Sequence, residues 1–275
     1  MAQVINTNVM SLNSQRALGK SQLSMQTSLE RLSSGLRINR AKDDAAGLAI
    51  SERFTSQIRG LDQATRNAND GISLLQTAEG ALSEVENSLQ RMRELAVQAA
   101  NGTYNGSDRD SLNDEFSALS SEIQRIADVT EFNNINLLSN GANLSLQVGW
   151  ENGVNNVITF STGKIIEASG ISNVIPGAIS TVASANGMLS EVSIAINAIS
   201  NLRADFGAIQ NRLESAVRNM DNVIENQSAA RSRVLDADFA RETANLTRTQ
   251  ILQQAGTAML AQANSMPQGV LSLLQ

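Results

Sequence analysis

The 275-residue chain has no cysteine and no histidine, only two prolines, and an aromatic content of 3%. Without cysteine there are no disulfides, no thiolate nucleophile and no sulfur metal ligands. Without histidine the commonest general base and the commonest transition-metal ligand are missing, so a Ser-His-Asp triad is excluded and the case for an enzyme is weak. Pro176 and Pro267 alone interrupt the helical tracts by their chemistry. Scarce aromatics leave a core of Ala, Leu, Ile and Val, which favours helix packing. No run of about 18 apolar residues exists, so membrane insertion is not expected. The net charge of -6 argues against nucleic acid, whose phosphates call for a basic face. Met1 to Lys20 lacks the basic start, apolar stretch and small-residue cleavage site of a signal peptide. The protein is therefore either cytoplasmic or exported by another route.

What the chain does have is two long apolar tracts, Phe54 to Ala99 and Leu189 to Val234, on opposite sides of a short strand-like middle. In the first, Phe54, Ile58, Leu61, Ala64, Ala68, Ile72, Leu75, Ala78, Leu82, Val85, Leu89, Met92, Ala96 and Ala99 recur at spacings of three and four. In the second the stripe is Leu189, Val192, Ile196, Ile199, Leu202, Phe206, Ile209, Leu213, Ala216, Met220, Val223, Ala230 and Val234, interrupted by Gln227. A repeat averaging about 3.5 residues keeps the seams of two helices facing each other as they supercoil, so an intramolecular antiparallel coiled coil is expected. At about 1.5 Å rise per residue each tract of roughly 46 residues would run about 70 Å, a rod and not a globule. Seams this rich in alanine bury too little to order such lengths alone. A third helix, a hairpin or other chains must cover the remaining apolar surface.

A looser stripe of Leu12, Leu18, Leu23, Met25, Leu29 and Leu32 marks a first helix over Asn8 to Leu32, ended by Gly35. Leu36 to Lys42 is a linker, and Asp43 or Asp44 caps the next helix. Asn101 to Gly106 is a turn-rich break. Asp108 to Val129 is a shorter third helix with Leu112, Phe116, Leu119, Ile123 and Ile126 on one face. From Asn143 the period becomes two: Leu144, Leu146, Val148 and Trp150, then Ile158 and Phe160 across a turn at Glu151 to Asn156, predict a β-hairpin. Ser169 to Asn186 is a return loop with a short strand around Val174 to Ile175. Phe239 to Leu274 is a last helix, broken near Pro267, with Leu246, Leu252, Ala255, Met259 and Leu271 on its apolar side.

Asp108, Asp110, Asp114 and Glu115 faintly resemble a calcium loop, but the central glycine and the final bidentate glutamate are absent. An acidic helix N-terminus favoured by the helix dipole is the better reading. No phosphate-binding glycine loop occurs, so no cofactor and no metal are expected. The long stripes read as packing, not as grooves for foreign helices. Arg91, Arg93 and Glu94 read as a solvated helix face.

Four stretches carry a resemblance: MAQVINTNVMSLNSQRAL at the start, RLSSGLRINRAKDDAAGLAIS at Arg31 to Ser51, QRMRELAVQAANGT at Gln90 to Thr103, and ILQQAGTAMLAQANSMPQGVLSLLQ at the end. Together they closely resemble bacterial flagellin. The resemblance implies a mainly α protein with paired terminal helices: an inner domain of residues 1–43 with 236–275, disordered in the free monomer and forming the polymer core. A helical rod domain of 44–235 carries the hairpin near 143–162, and outer variable domains are absent. The implied function is a structural subunit of the flagellar filament, the alternative being a hook-filament junction protein of the same superfamily. Metalloprotease inserts known in some flagellins need a His-Glu-x-x-His motif, which a chain without histidine does not have.

By the same resemblance, Asn39, Arg40, Lys42 and Asp43 lie in a linker that contacts neighbouring subunits. Arg91, Leu95 and Glu115 fall where flagellins contact an animal Toll-like receptor, on a surface buried in the filament. The hairpin stands where filament supercoil forms switch. Implied partners are other copies of the chain, the filament cap and hook-junction proteins, and an export chaperone at the C-terminal helix. The implied location is extracellular, after type III export.

Overall fold

The computed structural model describes residues 7–139, 141, 143–163, 165 and 171–272, with 267–272 described by backbone alone. The extreme ends of the terminal segments, the side chain of Leu271 and the start of the return loop at Ser169 lie outside the described residues. The protein is mainly α. In chain order it has α1 (Val9–Ser34), α2 (Ala45–Ala100), α3 (Gly106–Val129), β1 (Glu131–Phe132), β2 (Ile135–Asn136), β3 (Asn143–Gln147), β4 (Val157–Ser161), α4 (Ile171–Val174), α5 (Val182–Leu235) and α6 (Phe239–Ser272). It divides into two compact units, Met1–Ser56 with Asn226–Gln275, and Gln57–Glu225.

In the unit Gln57–Glu225, the buried face of α2 steps by three and four through Leu61, Ala64, Ala68, Gly71, Leu75, Ala78, Leu82, Val85, Leu89, Met92, Ala96 and Ala99, with Ile58, Leu74 and Leu95 buried beside it. On α5 the buried face returns every seventh residue, through Ala185, Val192, Ile199, Phe206, Leu213 and Met220. Both helices thus bury a continuous heptad face. Polar contacts fix their direction. Arg203 pairs with Glu86, Gln210 donates to Glu79 at 3.1 Å, and the Thr65 hydroxyl lies 4.0 Å from the Met220 sulfur. Numbers rising along one helix meet numbers falling along the other, so the two are antiparallel.

The expected seam is only half-buried at several places, Ile72, Ile196 and Ile209 among them. Ile72 is only half-buried, and Gly71 holds the buried position because Leu146 fills its side-chain space: its Cδ1 stands 2.2 Å from where a Cβ would lie. Ile196 is half-buried while Ala195 beside it is wholly buried, and Ile209 is likewise half-buried. Ile58, Leu61, Leu75, Leu82, Leu89, Ile199, Phe206, Leu213 and Met220 are buried. The helices are also longer than the tracts, at 56 and 54 residues. Thr181 starts α5 ahead of Leu189: the Ser184 N–H donates to its hydroxyl at 3.1 Å, and its own N–H donates to Ser184 Oγ at 3.1 Å.

The hairpin pairs Leu144 with Phe160 and Leu146 with Ile158. It ends at Gln147 and not at Trp150, because the Gln147 side-chain amide donates to the carbonyls of Gly149 and Glu151, each at 2.9 Å, and curls the chain. Two glycines of α2, about three helical turns apart, seat it: a Cβ on Gly60 would lie 2.7 Å from Trp150 Cβ, and Gly71 meets Leu146. Asn67 Nδ2 donates to the Gln147 carbonyl at 3.2 Å between them.

A second, smaller hairpin pairs Phe132 with Ile135. Its turn residues Asn133 and Asn134 have φ of 49° and 62°, the two left-handed positions that asparagine tolerates. The strand expected around Val174 and Ile175 is instead a helical turn. There the Ile175 N–H donates to the Ile171 carbonyl at 3.0 Å, and the Ile175 carbonyl accepts from Ser120 Oγ at 2.7 Å. Helix α3 begins two residues before Asp108, at Gly106, with Asn105 and Asp108 forming a reciprocal capping box.

The other unit is built differently. Helices α1 and α6 pack along each other, and their contacts are antiparallel: Asn8 Nδ2 to the Ala263 carbonyl at 2.7 Å, Ser11 Oγ to Asn264 at 2.7 Å, Ser21 Oγ to the Thr249 carbonyl at 3.2 Å, Arg31 to Glu242 at 3.1 Å. Among the described residues, Ser11, Ser28, Glu242, Thr249 and Ala263 are the buried residues of this pair. The apolar stripes expected to face inward mostly face out: Leu12, Leu23, Leu29, Leu252 and Met259 are exposed, and so is Ala255. Serine and glycine let the backbones come close, and a Cβ on Gly256 would already press on Leu18 at 2.9 Å. Nor does α6 break at Pro267; it continues to Ser272. Proline withdraws the N–H that the carbonyl four residues earlier would accept, and that carbonyl, of Ala263, is bonded by Asn8 instead.

Candidate functional site

Three sets of residues matter: the linker after α1, the acidic and basic cluster on α2 and α3, and the outward faces of α1 and α6. The linker opens at Gly35, whose φ of 72° and N–H to the Arg31 carbonyl end α1. It is then sewn to the chain entering α6: Arg37 N–H donates to the Leu235 carbonyl at 2.7 Å and Ala237 N–H to the Gly35 carbonyl at 2.9 Å. One Asp43 oxygen accepts the N–H groups of Asn39 and Arg40 at 3.2 and 3.0 Å, closing the turn. Asp44 is the helix cap, accepting from Gly47 N–H at 2.8 Å. Arg40 pairs with Glu30 at 2.7 Å, and Lys42 is exposed. Ile38, 2% exposed, pins the loop from beneath. Asn39 and Asp43 thus shape the linker, and Arg40 and Lys42 are its outward cations.

On α2, Arg91 Nε and one terminal nitrogen both reach Glu115 Oε1 of α3 at 2.9 Å, while the other bonds Glu94 at 2.9 Å. The hydrogen bonds that Arg91 donates to Glu94 and then to Glu115 raise the guanidinium above its ordinary pKa. Both Arg91 and Glu115 are exposed. Leu95 is not part of this surface: it is 0% exposed and belongs to the core, so no partner touches it while the unit is folded. The resemblance groups Leu95 with Arg91 and Glu115, but its short apolar side chain lies beneath the charged rim. Arg109 is a residue that the pattern of charges did not single out. It donates to the carbonyls of Ala99 and Asn101 at 2.9 and 3.1 Å, placing a cation on the C-terminus of α2.

Asp108 is spent on the capping box, and among the described residues no cluster of three acidic, histidine or cysteine side chains is placed to hold a metal ion. Among the described residues, too, no helix is long and apolar enough to cross a membrane.

A family model described as the bacterial flagellin N-terminal helical region matches residues 5–143, and one described as the bacterial flagellin C-terminal helical region matches 189–274. The chain belongs to the bacterial flagellin family. Flagellin of Halalkalibacterium halodurans is 49% identical over 273 residues, covering 99% of this chain and all of the relative. Flagellin of Bacillus subtilis is 44% identical, covering 98% of this chain and 99% of its own length. The crystal structure of Bacillus cereus flagellin superimposes with a TM-score of 0.51 at 33% identity, over 56% of this chain and 88% of that one. As a flagellin it is a structural subunit that polymerises with itself into the flagellar filament, and it is not an enzyme. Nothing in these likenesses favours the hook-filament junction.

Proposed function

We propose that the outward apolar faces of α1 and α6 are the surfaces that neighbouring copies cover when the filament grows. One observation carries this reading: the α1–α6 pair buries serine, threonine and a salt bridge, yet leaves Val9, Met10, Leu12, Leu23, Leu29, Phe239, Ile251, Leu252 and Met259 about half exposed or more. Apolar surface gathered on one element marks an interaction site. Residues 1–43 with 236–275 form the inner tube of the polymer, held only by neighbours and therefore disordered in the free subunit, since helices this sparsely packed need tertiary partners. Residues 44–235 form the rod domain, with no outer variable domain, and the heptad faces of α2 and α5 act there as a coiled coil. Contacts are heterologous, so they extend an open helix instead of closing a ring.

In this reading Arg40 and Lys42 reach a neighbouring subunit while Asn39 and Asp43 hold the linker in shape. The chain leaves the cell unfolded through a type III channel, for which the lack of cysteine and scarcity of proline are permissive. A chaperone holds the C-terminal helix before export, and cap and hook-junction proteins bound the filament. Arg91 and Glu115 are the contact for a Toll-like receptor, with Leu95 supporting them from inside. Limited proteolysis before and after assembly, read beside electron micrographs, tests the central part. Filaments should form, and cleavage near both termini should disappear as they do. Discrete particles, or termini equally cleavable in both states, would overturn the proposal.

A further inference from the structure

Five asparagines precede a glycine: Asn101, Asn105, Asn140, Asn152 and Asn186. Such pairs are vulnerable because glycine, lacking a side chain, leaves its backbone nitrogen unhindered for attack on the asparagine side-chain carbonyl. The structure decides which pair has its two groups free to meet. Asn140 lies outside the described residues. Asn186 and Gly187 lie inside α5, where the glycine N–H belongs to the helical ladder. Asn105 is locked in the capping box, accepting from Asp108 N–H at 2.9 Å and donating its own N–H to Asp108 at 3.1 Å. Asn101 accepts from Thr103 N–H at 3.2 Å through its side chain, and Arg109 holds its carbonyl.

Asn152 differs on each count. It is exposed in the connection between β3 and β4, and among the described residues its side chain and the Gly153 N–H make no hydrogen bond. A Cβ built on Gly153 would meet nothing closer than Asn156 Nδ2 at 3.8 Å, so the space around that peptide is open.

We propose that Asn152 is a site of spontaneous deamidation. The Gly153 nitrogen gives up its proton to solvent and bonds to Asn152 Cγ, closing a five-membered succinimide. The bond from Cγ to the side-chain nitrogen breaks, and that nitrogen leaves as ammonia. Water then adds to one of the two imide carbonyls and opens the ring to aspartate or isoaspartate. The product carries a new negative charge beside Glu151, and the isoaspartate form also lengthens the backbone by one carbon inside the hairpin connection. Subunits that have aged would differ from new ones at this loop.

The test is peptide mass spectrometry of the full-length protein after incubation at mildly alkaline pH. The peptide holding Asn152 should gain about one dalton before those holding Asn101, Asn105 or Asn186, and Gly153→Ala should lose that early gain with an unchanged circular dichroism melt. In strong denaturant the advantage over the other Asn-Gly pairs should vanish. Earlier modification at Asn101 or Asn105, an unaltered rate in Gly153→Ala, or the same preference in the denatured chain would each overturn the assignment.

Discussion

The unit Gln57–Glu225 and the α1–α6 pair are both built from antiparallel helices with heptad-spaced contacts, yet they distribute polarity in opposite ways. In the first, the buried positions are mostly Leu, Ile, Val, Phe, Met and Ala, and charged pairs such as Arg203 with Glu86 stand at the edge. In the second, Ser11, Ser28, Thr249 and Glu242 are inside and large apolar side chains are outside. The difference teaches what each is for. Apolar burial within one chain makes a unit that stands alone. A polar interior keeps two helices aligned through specific hydrogen bonds and leaves the apolar faces outward, where the proposed contact with the next subunit would cover them.

The comparison is broken most forcefully by a charge. Leu213→Asp leaves a carboxylate unpaired in a fully apolar layer and is expected to abolish the cooperative unfolding transition seen by circular dichroism. Ile72→Asp, at a half-buried rim position, should lower the melting temperature without abolishing it. Equal effects would mean that the heptad face is wrongly drawn. Next in size, Phe206→Ala is expected to cost about 3 to 5 kcal/mol in urea unfolding, whereas Leu252→Ala on exposed α6 should stay within about 0.5 kcal/mol. A large cost at Leu252 would show that the terminal pair already has its apolar face covered in the monomer.

Smaller still are the glycines. Gly71→Ala drives a methyl into Leu146 and should cost about 1 to 3 kcal/mol. Gly80→Ala, on the same helix with nothing within 4 Å, should stabilise by up to about 1 kcal/mol. The smallest effect is electrostatic. The hydrogen bond from Arg125 holds the exposed Glu122 carboxyl below its ordinary pKa. Its small contribution is therefore present above the ordinary carboxylate range and is lost as pH falls through the lowered value. Glu122→Gln should lose that small contribution at neutral pH, and its difference from the parent protein should vanish on the acid side, as urea unfolding at the two pH values would show.

Much of this was legible in the sequence, and the misses have physical reasons. Periodicity located α2, α5 and the hairpin because each buries a face whose period is set by its own backbone. It misplaced Ile72 for Gly71 because the space at Gly71 is filled by Leu146, about 75 residues away in the chain, and no local pattern carries that information. It reversed α1 and α6 because the rule that apolar residues face inward assumes a single chain. The cap, at Asp43 or Asp44, and the turn at Gly35 were readable from local chemistry, and Asp44 is the one that caps, whereas the passage through Pro267 has the Ala263 carbonyl bonded by Asn8, near the opposite end of the chain. The charged pair of Arg91 and Glu115 could be placed on helices, but the burial of Leu95 could not be separated from its neighbours by spacing alone.

The outward apolar faces of α1 and α6 are the proposed polymer contacts. The most direct measurement is polymerisation, followed by sedimentation, of a Leu23→Gln, Leu252→Gln double variant. Glutamine keeps good helix propensity and removes only apolar surface. The account predicts a monomer whose thermal unfolding matches the parent protein and which no longer sediments as filaments; filaments formed at the parent's rate and yield would contradict it.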